Sequence, residues 1–129
     1  MSSTMRKSDK KIEKQLRVTL NEICEIALKS HQGFEWLTHL VNYNNFPKSL
    51  KIICVFDTNV HLDKFNKGDD YQQFTSLIQR KLFEEGITLK KINQHIIFET
   101  EENCIKTHDG KWHDKLQTLS VAFSKANFH

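Results

Sequence analysis

From Ser8 onward the apolar positions follow a helical rhythm. Ile12, Leu16, Leu20, Ile23, Cys24, Ala27 and Leu28 recur at spacings of three and four and make one stripe. Ser8-Asp9 offers short side-chain oxygens that can cap the orphan N–H groups at its start, and Gly33 is a natural stop. The period then changes. Phe34, Trp36, Thr38 and Leu40 alternate with Glu35, Leu37, His39 and Val41 up to Tyr43, which predicts a strand buried on one face and partly covered on the other. Asn44-Asn45-Phe46-Pro47-Lys48 is turn chemistry. Leu50 to Phe56 is a second strand dense in β-branched residues, and the short link predicts an antiparallel pair.

Asp57-Thr58-Asn59 then offers three successive caps. Val60, Leu62 and Phe65 predict a short helix ending near Gly68. Asp69-Asp70 opens another, with Tyr71, Phe74, Leu77, Ile78, Leu82 and Phe83 on one side and the acids at the positive end of the helix dipole. Gly86 ends it, with Ile87 folding back. A third strand is expected from Ile96 to Glu99, starting near Asn93, and Asp109-Gly110 is a turn pair. Leu116 to Phe123 carries only a marginal helical signal. Val55-Phe56-Asp57-Thr58 echoes Ile97-Phe98-Glu99-Thr100, as two strand ends followed by caps would. The predicted fold is α+β, in the order α-β-β-α-α-β: a three-stranded mixed sheet with helices packed on one face. One domain is expected over 8–103, between a disordered basic tail at 1–7 and an irregular C-terminal extension at 104–129.

Composition supports one core. The chain has 129 residues, 38% of them apolar, which suits a single domain. Four glycines and one proline are too few for a turn-dense all-β fold. The three cysteines are odd in number and far apart, which predicts free thiols in a reducing compartment. Cys24 and Cys54 sit in apolar patterns, and only Cys104 is expected at the surface. The longest apolar run, Ile52 to Phe56, is far short of the ~20 residues of a membrane span. Met1 to Lys11 is polar and leads into no apolar signal stretch. A cytoplasmic protein with no membrane association is expected.

Charge changes the picture more. The formal net charge is +3, but it is unevenly spread. Residues 1–33 carry seven lysines and arginines against four acids, and residues 69–103 carry four against seven. Lys7, Lys10, Lys11, Lys14 and Arg17 make one side of the first helix positive. Lys48 and Lys51, beside Phe46, extend that face across the hairpin. Such a face suits the phosphates of a nucleic acid, although a solvated basic helix would show the same residues.

Other chemistry is thinner. Val55-Phe56-Asp57-Thr58-Asn59-Val60 resembles the first strand of PIN-domain ribonucleases. That resemblance implies a role for Asp57 in holding Mg²⁺ or Mn²⁺, whereas helix capping accounts for the same residues without a metal. Cys104-x3-His108-x4-His113 supplies three zinc-type ligands where four are usual, so Cys54 or His95 would have to complete the set. No Gly-rich phosphate loop or nucleophile elbow occurs. No catalytic residue, metal or cofactor is assigned. The helix-one stripe and Trp36 read first as core, and would mark a partner surface or a homodimer if exposed.

The element order is similar to that of type II KH proteins, and the chain also resembles the ribosome-binding factor A family. Three stretches carry the resemblance: Leu77-Ile78-Gln79-Arg80-Lys81-Leu82, Leu89-Lys90-Lys91-Ile92 and His95-Ile96-Ile97-Phe98-Glu99-Thr100-Glu101. It implies a small non-catalytic RNA- or ribosome-binding protein. Gly33 to Tyr43, Phe46-Pro47-Lys48-Ser49-Leu50 and Phe56-Asp57-Thr58-Asn59 also resemble a small bacterial family labelled "Fis family transcriptional regulator", which implies a DNA-associated role. The expectation is therefore a nucleic-acid-associated binding protein whose partner is RNA, the ribosome or DNA. The alternatives are a metal-dependent nuclease or hydrolase centred on Asp57, and a protein-interaction module without nucleic acid.

Overall fold

A computed structural model describes residues 6–124, with side chains to residue 119. Helix α1 runs Lys7–Ser30. It begins earlier than Ser8-Asp9 suggests, because Asp9 acts from within the first turn. Its carboxylate accepts the Arg6 main-chain N–H at 3.4 Å and the Arg6 Nε–H at 3.1 Å. The predicted tail at 1–7 is thus corrected: Lys7 is helical, and residues 1–5 lie outside the described residues. Leu16, Leu20, Ile23 and Ala27 are buried, as their spacing requires.

Gly33 turns the chain into β1, Phe34–Leu40, with φ +88°. A Cβ there would sit 2.6 Å from Asp57 Oδ1, so the position needs glycine for both conformation and space. A 3-10 turn at Tyr43–Asn45 leads to β2, Lys51–Phe56. The pair is antiparallel, with Leu40 opposite Lys51. A bulge between Phe34 and Trp36 breaks the simple alternation. Phe34 stands opposite Phe56, and Trp36 opposite Val55. Because neighbouring strand residues point to opposite faces, Phe34 joins the main core while Trp36 goes to the other side.

Helices α2, Asn59–Lys67, and α3, Asp70–Glu84, carry the chain across to β3, Ile96–Thr100, which pairs parallel to β2. The sheet order is β1-β2-β3. The α+β class, the element order and the mixed sheet are those expected from the pattern. One core holds α1, α2 and α3 against one face, with Phe34, Ile52, Cys54, Phe56, Phe65, Phe74 and Ile78 at its centre. Gly86, at φ +85°, stops α3 and lets the Ile87 N–H return to the Leu82 carbonyl. Phe83, placed on the buried side by its spacing, is 64% exposed.

The expected irregular extension is also corrected over residues 104–124, while 125–129 lie outside the described residues. The chain forms α4, Glu101–His108, then turns through Asp109 and Gly110, both at positive φ, into α5, Trp112–Ser124. Trp112 meets Trp36, and Lys115 pairs with Glu99 at 3.6 Å, so α5 lies against the sheet face opposite α1–α3. Cys104, expected at the surface, is fully buried, and Cys24 is the partly exposed cysteine. No described helix is long and apolar enough to cross a membrane.

Candidate functional site

The path of α3 decides which charges meet. Ile26, Ser30 and His31 at the end of α1 share a cavity with Gln73, Phe74 and Leu77 of α3's first half. Glu22 and Glu25, earlier in α1, share one with Lys81, later in α3. The two helices therefore run antiparallel. The segment after α3 returns to the end of the molecule where α1, β2 and β3 all begin.

That end carries the lysines. A groove of about 400 Å³ is lined by Pro47, Lys48, Thr88, Lys90, Lys91, Gln94 and His95, and none of these is acidic. Lys51, not itself a lining residue, donates from Nζ to the main-chain oxygen of Gln94, which is one, at 2.8 Å. Burial draws the Lys51 ammonium below its ordinary pKa. His95 is held more firmly. Its Nδ1 contacts the Leu50 carbonyl at 2.7 Å, its main-chain N–H reaches Ile92, and its carbonyl accepts from Ile52.

The residues chosen from sequence divide between two places. Lys48 lines the groove and Lys51 bonds to the Gln94 main chain beside it. Lys7, Lys10, Lys11, Lys14 and Arg17 are exposed along α1 and are not among the groove's lining residues. Glu13 couples this half of α1 to the hairpin. It accepts hydrogen bonds from the Tyr43 hydroxyl and from His39, at 3.3 Å for His39, and lies 3.9 Å from Arg17. Burial alone would raise its pKa, but the Tyr43 and His39 bonds and the neighbouring positive charges outweigh that and hold the carboxyl low. Burial, followed by the bond to Glu13 and its charge, pushes the Tyr43 phenol up. Lys90 and Lys91, in the Leu89-Lys90-Lys91-Ile92 stretch, join the groove without being among the site residues expected from the sequence.

The opposite end of the sheet is built for helix capping. Thr58 Oγ1 accepts the His61 N–H, and Thr100 Oγ1 accepts the Asn103 N–H. Each preceding acid binds the side chain four residues on: Asp57 takes His61 Nδ1 at 2.7 Å, and Glu99 takes Asn103 Nδ2 at 3.1 Å. The echo between the two strand ends is therefore one capping arrangement used twice. Burial raises the Asp57 pKa, but the bonds from His61 and the Thr58 N–H outweigh it and leave the carboxyl low. The first turns of α2 and α4 are tied together, since the Asn59 N–H donates to Glu102 Oε1 at 2.8 Å.

Among the described residues no group of three His, Cys, Asp or Glu side chains is placed to hold a metal ion. Cys104 and His108 follow the same division: Cys104 is buried, and His108 Nδ1 lies 2.7 Å from Thr107 Oγ1. One histidine stands out without any signal in the sequence. His31 packs edge-on against Phe65 and Phe74, and its buried Nδ1 has no hydrogen-bond partner, with Asp70 Oδ2 3.7 Å away. A cavity of about 100 Å³ lies beside it, lined also by Gln32, His61 and Lys64.

Comparison with known proteins adds no relative: no family model, no curated protein and no solved structure matches this chain.

Proposed function

We propose that this is a non-catalytic nucleic-acid-binding protein that holds a phosphate backbone in the groove at the amino ends of β2 and β3. The observation that carries the reading is the convergence of Lys48, Lys90 and Lys91 on one concavity with no acidic lining residue. Lysine ammonium groups are point donors that suit phosphate oxygens, and contacts of this kind bind without sequence preference. The exposed Lys7, Lys10, Lys11 and Lys14, in the first half of α1, lie toward the same end and would add a longer-range attraction. The element order shared with type II KH proteins agrees with an RNA- or ribosome-associated role in the cytoplasm.

The Asp57 hydrolase reading draws no comparable support. Asp57 is occupied by the Thr58 N–H and by His61, and among the described residues no group of acids and histidines is placed to hold a cation there. A fluorescence-anisotropy titration of labelled single strands over a salt series tests the proposal. Tight binding at low salt should weaken as salt rises. Each phosphate contact on a single strand contributes about −0.7 to the log–log slope, so replacing Lys48, Lys90 and Lys91 together by Gln should flatten it by roughly 2. Binding no tighter than that of an acidic control protein at every salt concentration would overturn the reading.

A further inference from the structure

The groove contains one group whose chemistry is more selective than a lysine. His95 Nδ1 lies 2.7 Å from the Leu50 main-chain oxygen. A carbonyl oxygen can only accept, so Nδ1 must carry the proton. In the neutral ring Nε2 is then a bare acceptor. His95 is one of the residues that line the groove, and with Nδ1 committed to Leu50, Nε2 is the ring nitrogen left for a ligand. Both main-chain groups of His95 are hydrogen-bonded as well, at 2.9 Å to Ile92 and 2.7 Å to Ile52, so the acceptor is held in place before a ligand arrives.

The sugar-phosphate backbone offers few hydrogens to such an acceptor, and the base N–H donors are common to RNA and DNA. Phosphate oxygens only accept, and deoxyribose carries no donor between its linkages. The ribose 2′-hydroxyl is a donor repeated at every nucleotide, and it distinguishes RNA from DNA. We propose that the groove selects RNA over DNA by accepting a ribose 2′-hydroxyl at His95 Nε2 while Lys48, Lys90 and Lys91 hold the adjacent phosphates. This rests on the nucleic-acid reading above and adds the substrate class to it.

The test uses the whole chain and three labelled 12-nucleotide probes at pH 8: oligouridylate, its 2′-deoxy form and its 2′-fluoro form. The fluoro probe keeps a ribose-like sugar pucker but lacks the donor hydrogen. The ribo probe should bind roughly three- to tenfold tighter than both others, the range expected of one hydrogen bond. His95→Asn keeps an amide donor for Leu50 and deletes Nε2. It should bring the three affinities together, chiefly by weakening the ribo probe toward the other two. Equal binding of ribo and deoxy probes by the native chain would overturn the selection. So would a fluoro probe that binds as well as ribo, or a His95→Asn variant that folds and keeps the preference. Failure of all three probes to bind at low salt would overturn the nucleic-acid reading itself. The probe comparison needs no variant, so a misfolded His95→Asn protein would not leave the proposal untested.

Discussion

Trp36 and Trp112 meet edge to face with ring centroids 4.9 Å apart, and both donate their indole N–H to the same carboxylate, Glu101. The two Nε1–O distances are 2.9 Å for Trp36 and 2.6 Å for Trp112. One acid at the start of α4 thus fastens a strand on one side and a helix on the other. The contact seats α5 on the second face of the sheet, beside Val55, which is fully buried.

Trp112→Ala should therefore cost more than a surface change. It removes an aromatic pair and a charge-assisted hydrogen bond and leaves Trp36 without its neighbour. Because Trp112 is only partly buried, a loss of about 2–3 kcal/mol is expected, at the low end of large aromatic truncations. Urea denaturation followed by circular dichroism measures it. Trp112→Phe should recover much of the loss, keeping the ring but not the donor. Equal stability of the native chain and Trp112→Ala would show that α5 is not fastened this way.

The paired caps make a graded prediction. Thr58 only accepts at its helix start, whereas Thr100 also donates, its Oγ1 reaching Asn59 Oδ1 at 2.6 Å. Thr58→Ala should cost about 1 kcal/mol. Thr100→Ala should cost more, because the same hydroxyl also ties α4 to α2 and is almost fully buried. Thr100→Ser should stay near the native value. Equal losses for the two alanine variants would remove the inter-helix bond from the account.

The first sheet face was legible because its apolar residues recur at helical or strand spacing through Leu16, Leu20, Ile52 and Phe74. The second face was not. It is closed by Trp112 and by Lys115, a lysine only 6% exposed and paired with Glu99, and a pattern of apolar positions does not register a buried lysine. Helix α4 offers the same difficulty, since Cys104 is its only buried residue. The bulge after Phe34 was hidden for a different reason: an extra residue in one strand shows only against its partner. Lys90 and Lys91 carry no site signal in the sequence, because the 69–103 charge count averages them with the acids of that segment. Their meeting with Lys48 depends on α3 running back along α1, a tertiary relationship that no local window contains.

Glu13 gives a pH prediction. Its folded pKa is held below the ordinary value, so its ionised form is favoured by the fold. Its stabilisation is complete above the unfolded value of about 4.3 and is lost as pH falls through the lower folded value. Glu13→Gln should therefore be less stable than the native chain near pH 7. The difference should shrink steadily below about pH 4. Tyr43→Phe should show a smaller acid-side difference, because His39 and Arg17 still face the carboxylate. Thermal melts from pH 3 to 7 compare them. A Glu13→Gln deficit that stays constant across that range would contradict the assignment.

His31 is the place where a substitution should strengthen the fold. Its Nδ1 is buried with no hydrogen-bond partner, while the ring itself is well packed, edge-on to Phe65 at 5.1 Å and to Phe74 at 5.3 Å. An unsatisfied buried nitrogen costs about 1–3 kcal/mol, and an apolar ring of similar shape does not carry that cost. His31→Phe keeps both edge contacts, and the adjacent cavity of about 100 Å³ has room for the slightly larger ring. The variant should be more stable by about 1 kcal/mol, read as a higher urea midpoint at unchanged slope. His31→Ala separates the two contributions. It also removes the stranded nitrogen but gives up the aromatic packing, so it should be less stable than the native chain. If His31→Phe proved destabilising by a similar amount to His31→Ala, the nitrogen would be satisfied in solution, with water between it and Asp70 as the simplest bridge.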